Sequence, residues 1–461
     1  MRKYLLLAAI AATSACAPGP GVEVTKSGAA QQTTASALPR SEAFLDPGPT
    51  AALSGRGGHS NADLAADFME LGFALESGRA LKHFSRFEGT VTVAMTGAVP
   101  ASAPAEMTRL LNRLRTEAGI DIRPARPGET ASITVEFSPK SALRQAAANA
   151  ACFVVPNVAT LADYRASRGQ ARLDWANVAQ RQQVGIFAPS DGAPQEIRDC
   201  LHEELAQALG PLNDLYRLTD TVFNDDNFHS VLTATDMKIL RAWYAPELAS
   251  GMTREEVGAR IGAVIARVNG GGAASRADLS ATPRVWINAI EQAVGGGSMG
   301  ARRSAAERAL SIAQAQGWKD GRMAFSHFAL ARLHVASDRA RAVEEFTRAA
   351  AIYRGLPGGA IHVAHIDMQL AAIAVASGQP EQALRFADRA IPAARAAENH
   401  ALVASSQLIK AEALDLMGRG AEAAALRLDS RPLASYGFGS EIQVNARMRE
   451  IAALGALGPR G

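Results

Sequence analysis

Apolar positions after Asp63 recur at helical spacing, placing Leu64, Phe68, Leu71 and Leu75 on one side of a helix. Val91-Thr92-Val93-Ala94-Met95 alternates instead with the period of a strand. Ala105 to Ala118 returns to the helical period through Met107, Leu110, Leu111 and Leu114, and Ile133-Thr134-Val135-Glu136-Phe137 is a second strand. Cys152 to Val155 and Val184 to Phe187 are short apolar runs of strand length. A strong helix follows from about Pro194 to Leu209 and stops at Gly210-Pro211. The next spans Thr233 to Tyr244, with Thr233 or Thr235 as its cap. Thr253 caps another, whose first turn carries Glu255 and Glu256 at the end where the helix dipole favours acids. Strands and helices mixed in this order predict an α/β (α+β) domain over 61–250. Glycine triplets at 270–272 and 295–297 punctuate a helical connector over 251–300.

The last third, 301–461, repeats itself. Ser337-Asp338, Ser377-Gly378 and Met417-Gly418 recur forty residues apart, each between two helical segments. Val343, Ala383 and Ala423 keep the same interval, and Phe346 is matched by Phe386. Ala331, Ala371 and Ala411 supply small side chains where paired helices approach closely. This all-α pattern of helix, tight turn and helix resembles tetratricopeptide-type arrays, with a period longer than their usual figure of about 34 residues. The resemblance implies a concave surface for a protein partner.

The N-terminus reads as an export signal. Arg2 and Lys3 precede an apolar stretch from Tyr4 to Ala12, too short to be a stable membrane span. Thr13-Ser14-Ala15-Cys16 then resembles a bacterial lipoprotein processing site, although Thr13 stands where leucine is usual. That implies a signal peptide over 1–16, an acylated Cys16 and a membrane partner reached through the lipid. The alternative is a plain secretory signal cut near Ala15. Ala17 in place of aspartate implies, by the same resemblance, an outer-membrane anchor facing the periplasm. Residues 17–60, rich in Ala, Ser, Thr, Gly and Pro, bury too little surface to offset the entropy of ordering and read as a tether.

Composition changes this picture little. A chain of 461 residues exceeds one ordinary domain, and 48% apolar residues suffice for real cores. The net charge of +3 is dispersed, with no basic patch interleaved with aromatics, so nucleic acid is not an expected partner. In an oxidising compartment Cys152 and Cys200 can pair, closing a loop that is worth about 3–4 kcal/mol on the chain-entropy account. Two isolated buried thiols are the alternative.

The segment Cys200-Leu201-His202-Glu203-Glu204-Leu205-Ala206-Gln207-Ala208-Leu209-Gly210-Pro211-Leu212-Asn213-Asp214 resembles the zinc site of metzincin peptidases, H-E-x-x-H-x-x-G-x-x-H. Aligned on Gly210, Glu204 falls at the general base, while Glu203, Gln207 and Asn213 replace the three histidines, with Asp214 beside the last. Starting from His202 loses Gly210, and His202 is expected to be half exposed, off the metal-facing side. Leu232 to Tyr244 looks like the closing helix of matrix-type metzincins, and 222–227 offers no methionine turn. The E-E-x-x-Q-x-L-G-x-x-N-D core is closer still to a bacterial lipoprotein family of unknown function. The Phe223-Asn224-Asp225 segment and the Leu232–Met252 stretch extend that likeness, as does Asp67-Phe68 leading to Leu75-Glu76-Ser77-Gly78.

Glu203 and Gln207, four apart, share a helical face. An amide is a poor zinc ligand, though Glu203 and Asp214 suit a hard ion such as calcium. No cofactor is the primary expectation, with zinc or calcium as the metal alternatives. A polar network in which Gln207, Glu203 and Asn213 fasten the Gly210-Pro211 turn is the structural alternative to a metal site. His229 is a lone loop histidine, expected to be exposed or hydrogen-bonded. The chain has no nucleophile elbow, phosphate loop or dinucleotide fingerprint. These readings favour a non-catalytic peptidase-like domain carrying a partner-binding array. The alternative is a divergent metal-dependent hydrolase using Glu204.

Overall fold

The computed structural model describes residues 58–147, 150–224, 226, 228–272 and 278–455. Cys16, the signal segment, and the stretch read as a tether up to residue 57 lie outside them. The chain forms two compact units, Gly57–Asp225 with His229–Ala281, and Asp226–Phe228 with Thr282–Gly461. The stretch read as a connector is therefore divided at 281/282.

The first unit opens with α1 (Asn61–Phe73), capped by Ser60, whose hydroxyl accepts the Asp63 amide at 2.9 Å. Strand β1 (Val91–Gly97), helix α2 (Ala103–Thr116), and strands β2 (Ile122–Pro124) and β3 (Ile133–Ser138) follow. After α3 (Lys140–Ala146), β4 (Phe153–Pro156) and α4 (Leu161–Ala166), β5 (Val184–Pro189) leads into α5 (Pro194–Leu209). Helices α6 (Ala234–Trp243) and α7 (Arg254–Asn269) close the unit, each with a Thr capping box, at Thr233 and Thr253. β2 and the two short helices were not legible in the sequence, because three- to seven-residue elements carry too few turns to show a period.

The five strands lie in the order β2-β1-β3-β5-β4, all parallel except β4, which runs against β5. Alternation along β5 sends neighbouring side chains to opposite faces. Ile186 joins the main core with Phe68, Leu110, Val135, Leu205 and Trp243. Phe187 joins a smaller cluster with Leu143, Val155, Val158 and Leu161. Both faces are thus covered, as the continuous burial of β5 requires.

A disulfide links Cys152, just before β4, to Cys200 on α5, with the Cα atoms 6.0 Å apart. It fastens the edge of the sheet to the helix that carries the Glu203–Glu204 pair.

The second unit is all-helical: α8 (Arg284–Val294), α9 (Met299–Gln316), α10 (Gly321–His334), α11 (Arg339–Tyr353), α12 (Gly359–Ala376), α13 (Pro380–Ala396), α14 (His400–Leu416), α15 (Gly420–Phe438) and α16 (Glu441–Gly455). The three recurring turns fall between α10 and α11, α12 and α13, and α14 and α15. Gly378 and Gly418 adopt φ of 66° and 75°, where a side chain would be strained. Val343, Ala383 and Ala423, like Ala331, Ala371 and Ala411, are buried at the helix contacts. Helix α12 is long and apolar enough to cross a membrane, yet it is packed within this unit.

Replacing both Cys152 and Cys200 with serine should lower unfolding stability by about 3 kcal/mol while leaving the native far-ultraviolet circular dichroism unchanged. A urea titration of the two proteins measures it.

Candidate functional site

Helix α5 starts at Pro194, a residue suited to a first turn whose amides need no helical partner. Glu196 in that turn accepts Lys140 Nζ at 2.7 Å. The side chains singled out in the sequence follow over the last two turns and the loop beyond.

Glu204 is 4% exposed, and its Oε2 has no hydrogen-bond partner among the described residues. Burial, reinforced by the neighbouring Glu203 and Glu76 carboxylates, holds its pKa well above the ordinary glutamate range. Glu203 is half-buried on the adjoining position, and Gln207 is buried one turn on.

His202 is 1% exposed, which corrects the half-exposed position expected for it. Its Nδ1 accepts the Leu232 amide at 3.0 Å, so the loop leading into α6 covers this side of α5. Nδ1 is therefore unprotonated and Nε2 carries the hydrogen. Burial, together with Arg198, Arg113 and Arg109, depresses the imidazole well below its usual pKa. One turn earlier the fully buried Arg198 donates to Ser230 Oγ at 3.1 Å. His229 is hydrogen-bonded, its Nε2 lying 3.0 Å from the Thr219 carbonyl.

The C-terminal end of α5 is the most heavily bonded part of the site. A helix leaves its last four carbonyls without intrahelical donors. Here Arg181 Nη1 donates to the carbonyls of Gln207 at 2.5 Å and Ala208 at 2.7 Å, and Nη2 donates to that of Gly210. The Tyr244 hydroxyl donates to the Leu209 carbonyl at 3.0 Å. Burial without a carboxylate partner brings the Arg181 guanidinium down to about 10, still protonated at neutral pH. Its Nε donates to Ser85 Oγ at 3.2 Å, and it stacks 4.8 Å above Trp175.

Gly210 is required here by packing. Its φ of −165° is ordinary extended backbone, but a Cβ would lie 2.8 Å from the Trp243 indole. That indole sits 4.8 Å from both Phe68 and Phe84 and donates to the Ser85 carbonyl at 3.2 Å. The glycine of the motif and the tryptophan of the closing helix are two halves of one contact.

Past the turn, the buried Asn213 points its amide Nδ2 at the Glu70 carbonyl, 3.4 Å away, and Asp214 is half-buried. Arg217 pairs with Asp67 at 2.7 Å and with Glu70 at 2.7 Å, fastening this loop to α1. Where a methionine turn would lie, Asp236 accepts the Thr221 hydroxyl, the Val222 amide at 3.2 Å and the Thr233 amide at 2.7 Å. Burial raises that carboxyl to about 7 against these bonds.

The bonds at the Gly210-Pro211 turn come from residues other than the Gln207, Glu203 and Asn213 side chains considered in the sequence. The side chains that fasten the turn are Arg181 and Tyr244, while Asn213 holds the loop beyond it. Tyr244 lay in the closing segment noticed in the sequence, but Arg181, in a glutamine-rich loop, gave no signal. Among the described residues, no group of three or more His, Cys, Asp or Glu side chains is placed to hold a metal ion.

Residues 61–263 match the family described as "Protein of unknown function (DUF2927)". No curated protein and no solved structure matches the chain.

Two outcomes test this geometry. Arg181→Met strips the Ala208 and Gly210 carbonyls of their only charged donor and should cost about 2–4 kcal/mol in urea unfolding. Glu204→Gln should stabilise the protein increasingly as pH rises. The folded state keeps a proton that the unfolded chain releases above the usual value of 4.5, so wild-type stability falls with rising pH and the amide removes that loss. Urea midpoints of the variant and wild type near pH 4 and pH 8 give the comparison. Equal differences at both pH values would contradict a raised pKa at the buried Glu204.

Proposed function

We propose that residues 61–263 form a non-catalytic, peptidase-like domain of a lipid-anchored envelope protein, and that its helical repeats bind a protein partner. The order of strand, helix, strands, site helix and closing helix supports the metzincin resemblance, as does the glycine that ends α5. The observation that carries the non-catalytic reading is the burial of Glu204. A general base must be within reach of the proton it takes. Glu204 is sealed from solvent, one of its carboxyl oxygens has no hydrogen-bond partner among the described residues, and burial favours its protonated form. The neighbouring positions that hold zinc in metzincins are here a half-buried carboxylate and two amides, and one of those amides is directed at the Glu70 carbonyl.

The envelope location rests on the Arg2-Lys3 signal and Cys16. The disulfide between Cys152 and Cys200 suits an oxidising compartment. The binding role rests on the three helical hairpins repeated every forty residues, an architecture that stacks into extended surfaces.

Metal content decides between this reading and a divergent hydrolase. The full chain, purified without chelator or metal-affinity step, should carry only substoichiometric zinc and calcium and gain no thermal stability from either. About one equivalent of zinc, the amount expected of a single site, lost on Glu203→Ala, would instead make Glu204 the base of a metal-dependent hydrolase.

A further inference from the structure

The helical unit includes three residues that precede α8 by more than fifty positions, Asp226–Phe228. Phe228 is 1% exposed. Its ring lies 4.5 Å from His362, 4.9 Å from His365 and 5.1 Å from Phe328, with Phe325 and Tyr353 at 6.1 Å and 6.2 Å. These five side chains come from α10, α11 and α12, and the Tyr353 ring stacks on His362 at 4.2 Å. Two positions earlier, Asp226 accepts His362 Nε2–H at 3.0 Å, with both groups buried. The Phe228 amide donates to Asp226 Oδ1 at 3.2 Å, so the acid also sets the local turn that delivers the ring. A single imidazole thus reads both features, its nitrogen the carboxylate and its face the aromatic ring.

We infer that the helical unit contains a recognition site for a short segment with aspartate two residues before phenylalanine, and that a partner polypeptide bearing this pattern is its ligand, with Asp226 and Phe228 occupying the site in cis. The arrangement has the form of linear-motif recognition: one aromatic anchor in a pocket and one charge-assisted hydrogen bond to fix register. A tethered segment competes at an effective concentration in the millimolar range, so the site is masked until the cis segment is displaced or outcompeted. The inference rests on the reading of the helical repeats as a partner-binding array. Its failure would leave the outcome of the metal-content test on the full chain unaffected.

The test uses the full chain and a synthetic peptide of residues 222–232 carrying 4-fluorophenylalanine at position 228. The chain with Asp226→Asn and Phe228→Leu, checked for native circular dichroism, should bind the peptide saturably and with 1:1 stoichiometry by fluorine NMR. Wild type should bind it at least about tenfold more weakly, through competition with its own segment. Should the double variant misfold, the wild-type titration is decisive: millimolar labelled peptide should shift and broaden, and unlabelled peptide should reverse the effect. Peptides with alanine for the aspartate or the phenylalanine should lose binding. A folded variant that leaves the fluorine signal unchanged, or that binds the alanine peptides equally well, overturns the proposal. Exchange of the segment between copies of this chain, seen as a concentration-dependent dimer by sedimentation, would overturn the assignment to a separate partner.

Discussion

The guanidinium of Arg181 holds the end of α5 where the rest of the first unit needs it. Three of the carbonyls at this end meet its donors and the fourth meets the Tyr244 hydroxyl, so a helix terminus can stop inside the core. An unpaired buried carbonyl costs enough that such a terminus would otherwise be driven to the surface. With the terminus fixed, Gly210 presents a bare backbone to Trp243, and the indole fills the space between Phe68 and Phe84. The same few residues set the path of the chain through Asn213 and Arg217 back to α1.

The same construction encloses the polar side chains of α5. Glu203 is half-buried, Gln207 is buried one turn on, and burial holds the pKa of Glu204 well above the ordinary glutamate range. His202, the histidine in this segment, is turned the other way and receives the Leu232 amide. The end of the helix is held by bonds to its backbone carbonyls, while Glu204 and His202 are enclosed beside it.

The helical unit works on a different principle. Its hairpins repeat at a fixed interval and meet through alanines, and ion pairs such as buried Asp367 with half-buried Arg389 join successive helices. Buried pairs of this kind cost desolvation and fix register more than they add stability. The aromatic and imidazole side chains gathered around Phe228 stand apart from that pattern. They pack around a single buried ring within an otherwise alanine-rich unit.

Elements long enough to show a period were legible from residue order alone. The helix expected from about Pro194 to Leu209 spans those residues, Thr253 caps the helix it was expected to cap, Thr233 is the cap of the two candidates Thr233 and Thr235, and the forty-residue spacing falls on three interhelical turns. Each is a local property, set by which neighbours three, four or two positions away are apolar. The role of Arg181, the burial of Glu204 and His202, the contact between Gly210 and Trp243, and the company kept by Phe228 join residues tens to more than a hundred positions apart. Residue order carries no local trace of such contacts, because burial and partner are fixed only when the packed elements exclude water from the space between them. The sequence by itself thus determined the elements and their repeats, whereas the tertiary structure decided which polar side chains would be enclosed and which partners they would meet.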